Sequence, residues 1–151
     1  MGTSSQGEGS LHATWTIRDA TADDIDHVLE LWDAGGGPPS VSDTREGLRR
    51  LLTADPRALL LAEVDDLVVG SLIAAWDGWR GSFYRLVVRS DRRRQGIAMA
   101  LLREGERHLQ TQGAVRLTAI VADEDPAAVG FWKAAGYRRQ HDRARFVRPA
   151  R

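Results

Sequence analysis

The feature that most constrains the fold is a change of rhythm between residues 86 and 109. Leu86-Val87-Val88 reads as a buried strand, a cluster of arginines leads to Gly96, and Ala98, Leu101, Leu102, Gly105 and Leu109 then recur at the spacing of a helix packed on a sheet. A strand that turns through glycine into a helix leaves the first helical N–H groups without partners at the positive end of the helix dipole, and anions dock there. Gly96 has no Cβ and Ala98 only a methyl, so a phosphate oxygen can approach the main chain, while Arg93 and Arg94 add guanidinium forks.

The rest of the chain supplies more strands and helices around this unit. Thr14 to Arg18 alternates as a strand, and Thr21-Ala22-Asp23-Asp24 caps a helix with Ile25, Val28, Leu29 and Trp32 on its apolar face. Gly35-Gly36-Gly37-Pro38-Pro39 stops that helix, and a second short one is expected from about Ser42 to Leu52. Three strands follow: Ala58 to Val64, Leu67 to Trp76 and Ser82 to Arg89. They are joined by Asp65-Asp66 and by Asp77-Gly78-Trp79-Arg80-Gly81. Gly113 ends the long helix, Val115 to Val121 is a further strand, Asp125 or Pro126 starts a helix, and Arg143 to Arg148 is expected as a last strand. Strands first, then strand-helix-strand-helix, predict an α/β domain: a mixed sheet with helices on both faces.

Composition narrows the function classes. With 151 residues, the chain is the size of one domain. The polar, Gly/Ser-rich residues 1–12 read as a disordered tail, leaving residues 13–151 as the domain. Lys+Arg and Asp+Glu both number 21, so no overall field favours nucleic acid or a membrane surface, although Arg89, Arg92, Arg93, Arg94 and the basic end of the chain suggest a phosphate-backbone surface as a rival reading. Cysteine is absent, which removes a cysteine-linked acyl intermediate, and His12, His27, His108 and His141 are scattered at no metal-ligand spacing. The composition is that of a cytoplasmic protein without a membrane span.

Arg93-x-x-Gly96-x-Ala98 resembles the Arg/Gln-x-x-Gly-x-Gly/Ala signature of the GNAT superfamily of acetyl-CoA-dependent N-acetyltransferases. Asp125 to Tyr137 resembles that family's later motif, Asn-x-x-Ala-x-x-Phe-Tyr-x-x-x-Gly-Phe, and the run from Leu67 to Gly81 is similar to a hairpin of its small, stand-alone, YpeA-like bacterial members. The resemblance spans about residues 15 to 148 and implies a mostly antiparallel sheet, splayed between its middle strands where acetyl-CoA lies. On that reading Leu86, Val87 and Val88 pair with the pantetheine arm, with Val87 as backbone oxyanion donor, and Arg93, Arg94, Gln95, Gly96, Ile97 and Ala98 hold the pyrophosphate. Asp125, Phe131 and Trp132 complete the cofactor side. Dimers are common among the proteins it resembles.

Departures from the family pattern bear on mechanism. Asp125 stands where Asn is usual and doubles as a helix cap before Pro126. Trp132 replaces the tyrosine that protonates the departing thiolate, and an indole is too weak an acid to do so, which leaves Tyr84 and Tyr137. Ser82 and Ile120 occupy the positions of the usual carboxylate bases. Asp77 is a candidate base or cation-holding group, with Asp123 and Glu124 as others, and water can carry the proton instead. Trp79 and Arg80 at the hairpin tip, and Trp32, are candidate acceptor contacts. The implied activity is direct acetyl transfer to a primary amine, with α-amines favoured; a non-catalytic acyl-CoA-binding sensor is the alternative.

Overall fold

The computed structural model describes residues 6–10, 13–122 and 124–150. Residues 1–119 and 120–151 form two separately compact units. The first is built on a six-stranded sheet in sequence order: β1 (Gln6–Ser10), β2 (Ala13–Asp19), β3 (Leu59–Val64), β4 (Leu67–Trp76), β5 (Gly81–Val88) and β6 (Leu117–Ala119). All neighbours pair antiparallel except β5 and β6, which are parallel.

Alternation along the strands divides the core in two. Leu59, Leu61 and, from β5, Val87 face α1 (Ile25–Gly35) and α2 (Arg45–Ala54), packing with Ile25, Val28, Leu31, Trp32 and Leu48. On the other face, α3 (Ile97–Gln112) lies against β4 and β5, so close that a Cβ on Gly105 would stand 2.9 Å from Leu72 and 3.0 Å from Phe83. No helix among the described residues is long and apolar enough to cross a membrane.

Three expectations are corrected here. Gln6–Ser10 is not a disordered tail: it pairs antiparallel with β2, because backbone pairing on an open sheet edge needs no apolar side chains to announce it. The remaining tail residues, 1–5, 11 and 12, lie outside the described residues. The strand expected at Val115 to Val121 shortens to Leu117–Ala119. In the second unit, α4 (Pro126–Ala134) forms as expected, with Pro126 in its first turn, but Arg143 to Arg148 is not a strand: alternation specifies a face and not a partner, and Phe146 and Val147 are exposed.

Candidate active site

The sheet opens at β5. Its first three residues pair with β6, as Gly81 with Leu117, Ser82 with Thr118 and Phe83 with Ala119, and from Tyr84 to Val88 that edge has no strand beside it among the described residues. A bulge lies at the divergence. Ile73 opposes Tyr84 but Ser71 opposes Val87, so β5 carries one residue more than β4 across this interval, and Arg85 takes a left-handed φ of 55°.

Buried polar groups hold the bulge in place. Trp32 Nε1 donates to Ser71 Oγ at 2.8 Å, and Ser71 Oγ donates to the Arg85 carbonyl at 2.8 Å; Ser71 has no solvent exposure. Beyond the bulge the hydrogen-bonding phase can be followed. Arg89 donates its N–H to Val69 O at 2.8 Å, and Ser71 opposes Val87, so Val87 shares this phase and its N–H points at β4. The N–H of Val88, and by the two-residue period that of Leu86, point to the open edge. The Val87 amide is therefore turned away from the open edge where it was expected, because alternation, invisible without the register, fixes which amides face outward.

The open edge leads directly into an anion cradle. After a 3₁₀ turn at Ser90–Arg92, Arg94 and Gly96 adopt φ of 64° and 86°, and Gly96 is the N-cap of α3. The first bond of α3 is donated by Ala100, to Gly96 O, so the N–H groups of Ile97, Ala98 and Met99 have no acceptor within the helix, which is the donor array an anion at a helix start needs. A Cβ on Gly96 would meet only Trp15, at 3.9 Å, so the glycine is required by its backbone conformation rather than by crowding. Trp15 Nε1 donates to the Gln95 carbonyl at 3.3 Å and ties the cradle to β2. Gln95 Oε1 is buried without a partner.

On the α1–α2 face, a groove of about 430 Å³ is lined by residues of α1, the following loop, Arg45 and Arg85. Tyr84, 43% exposed, opposes Ile73 and so shares the face of the sheet that packs against these helices. Trp32 contributes to the groove floor but is only 4% exposed, its indole committed to Ser71 beneath the Arg85 guanidinium, 5.1 Å from the ring centre; it is core first and acceptor contact second. Arg85 is the residue that sequence reading missed. It ion-pairs with Asp43, donates to Gly36 O at 2.6 Å, and is held below the usual guanidinium range by burial.

Other candidates lie at the β4–β5 hairpin tip. Asp77 Oδ1 accepts the N–H of Arg80 at 2.6 Å and of Trp79 at 2.8 Å, and these bonds hold its carboxyl below the usual carboxylate range. A carboxylate so satisfied is a turn residue and a poor base. Trp79 is 67% exposed with Arg80 stacked on it, the guanidinium carbon 4.0 Å from the ring centre, which leaves the hairpin tip available for contact. Asp123 lies outside the described residues.

In the second unit, Asp125 caps α4 by accepting the Ala128 N–H at 3.1 Å, the role its position before proline suggested. Trp132 packs edge-on against Tyr137, with ring centres 5.0 Å apart, and against Phe131 at 5.6 Å.

Comparisons with known proteins bear on these features. The model of the acetyltransferase (GNAT) family matches residues 25–137. An acetyltransferase of Yersinia pestis (strain Pestoides F) is 34% identical over 124 residues, covering 82% of this chain and 88% of that protein. One from Pectobacterium atrosepticum is 34% identical over 121 residues, covering 80% and 86%. Among solved structures, the aminoglycoside N-acetyltransferase AAC(6')-Iy in complex with CoA superimposes with a TM-score of 0.73 at 18% identity, over 91% of this chain and 96% of that one. Ard1 from Thermoplasma volcanium gives 0.72 at 20% identity, over 81% of each chain. At such identities these two show the fold.

Proposed function

The chain belongs to the acetyltransferase (GNAT) family, and we propose that it moves an acetyl group from acetyl-CoA directly to a primary amine, with α-amines favoured. The observation that carries this is the continuity of β5's open edge with the first-turn N–H groups of α3, Ile97 to Met99. An extended pantetheine arm can pair along Leu86 to Val88 as an added strand while its pyrophosphate meets Arg93 to Ala98. An outward N–H of Leu86 or Val88 then polarises the acetyl carbonyl and stabilises the oxyanion formed when the amine attacks. In this reading residues 13–151 act as one cytoplasmic acetyltransferase, and the family match runs through both units. Asp125, Phe131 and Trp132 are assigned to the cofactor by their place in the later motif, and a Trp at position 132 shapes the thiol's surroundings without giving it a proton.

Bringing a lysine-like amine to its neutral form at pH 7 costs roughly 4.6 kcal/mol, whereas an α-amine near pKa ~8 needs about 1.4 kcal/mol. With Asp77 committed to its turn and Ser82 and Ile120 in place of carboxylates, the cheaper amine is the better acceptor. The expected kcat/KM therefore rises with pH until the acceptor's own pKa and follows the acceptor, not the enzyme, when amines of different basicity are compared. Release of CoA thiol, monitored over an amine panel, measures this. Acetyl-CoA binding with no turnover on any amine would favour a sensor instead.

A further inference from the structure

The α1–α2 groove contains two arginines, and both are spoken for. Arg45 Nε donates to Asp26 Oδ1 at 2.6 Å. Arg85 directs Nε and one terminal nitrogen at the Asp43 carboxylate, that nitrogen also reaching Pro38 O at 3.4 Å, and the other at Gly36 O, while its guanidinium lies over Trp32. Negative charge is left over: Glu30 faces only His27, at 3.7 Å, and Asp33 has no ion-pair partner among the described residues. The Arg85–Asp43 pair is also the better shielded of the two, with 16% and 10% of its side chains exposed against 66% and 60% for Arg45 and Asp26.

We propose that Asp43 is a positioning residue for acceptor specificity: by occupying Arg85 it leaves the groove without a free cation, so that amines lacking an acidic group are accepted and amines bearing a carboxylate are refused. This rests on the groove being the acceptor site of the acetyltransferase proposed above. A substrate carboxylate entering the groove meets Glu30, Asp33 and Asp43, and has to displace a two-point charge-assisted contact in partly buried surroundings to reach Arg85. A cationic acceptor meets none of these penalties. Removal of the Asp43 charge leaves Arg85 held by Trp32 and by the Gly36 and Pro38 carbonyls, with at most a neutral amide oxygen in place of its ion-pair partner, which a carboxylate of the substrate can displace.

The test compares alaninamide with alanine as acceptors of the full chain, in the unmodified protein and in Asp43→Asn, Asp43→Glu and Asp33→Asn. Taking the ratio of kcat/KM for the two amines within each protein and comparing it between proteins cancels their difference in intrinsic basicity. The preference for alaninamide is expected to fall about tenfold in Asp43→Asn, to stay within about twofold in Asp43→Glu, and to fall only about threefold in Asp33→Asn, which removes one charge without freeing an arginine. If Asp43→Asn slows both amines equally, Asp43 merely holds its loop and the proposal is overturned. If acetyl-CoA binds but no variant acetylates either amine, the acetyltransferase reading itself fails at this site and the specificity proposal falls with it.

Discussion

Ser71 carries more of the site than its size suggests. It has no exposed surface, accepts from the Trp32 indole and donates to the Arg85 carbonyl, so one hydroxyl joins α1, β4 and the β5 bulge. Ser71→Ala orphans a buried indole N–H and a carbonyl together. The expected loss is about 2 kcal/mol of unfolding free energy in denaturant titration, together with a lower kcat at nearly unchanged acetyl-CoA affinity, since the cradle is tied separately through Trp15. Equal loss of kcat and cofactor affinity would contradict that division. Asp77 yields the opposite expectation. Asp77→Asn keeps an acceptor oxygen for the turn, and the pH profile of kcat/KM should not move; a lost acid limb would restore Asp77 as a base. Sequence alone could propose Asp77 because a turn carboxylate and a catalytic one look identical as letters. Arg85 escaped notice for a related reason: an arginine within a strand shows neither its positive φ nor its partner 42 positions away.

Among the elements, α3 ties the fold to the proposed cofactor site. Its start presents free N–H groups and its middle touches the sheet through Gly105, where a side chain has no room. Gly105→Val is expected to destabilise the protein by about 3 kcal/mol, measured by thermal or denaturant unfolding, despite valine's better helix propensity; no loss of stability would mean that α3 stands further from β4 and β5 than the structure shows. The helices and central strands were legible because each buries one face and so repeats at its own period: β4 runs over Leu67–Trp76, the limits read from sequence, and α3 differs by one residue at its start. The edges were not legible. Whether Gln6–Ser10 pairs, how soon β6 leaves β5, and whether Arg143 to Arg148 finds a neighbour depend on backbone partners, which leave little mark on side-chain pattern.

At the level of the whole molecule, equal numbers of acidic and basic residues leave stability to local pairs. The clearest is Arg18, bonded to both oxygens of Asp24 at 2.7 Å and paired with Glu63. Arg18 lowers the Asp24 carboxyl below the ordinary aspartate value, so the folded state binds this proton less readily than the unfolded chain. The resulting stability is present above pH ~3.9 and is lost as pH falls from there through the lowered folded value. Asp24→Asn should therefore flatten the acid side of the stability curve below about pH 4 while lowering the plateau at pH 7, as followed by denaturant unfolding across pH; an unchanged acid slope would contradict the pairing.

Calorimetric titration with acetyl-CoA tests whether the segment from Leu86 to Ala98 is the acetyl-CoA site, as proposed. The protein is compared with Gly96→Ala and Gly96→Glu. Both replacements impose a side chain on a left-handed φ, at a similar cost of about 1 kcal/mol that thermal unfolding can verify, but only glutamate brings an anion to the cradle. Binding is expected from the unmodified chain, measurable binding from Gly96→Ala, and none from a folded Gly96→Glu. Unchanged affinity in Gly96→Glu would mean that the cofactor lies elsewhere.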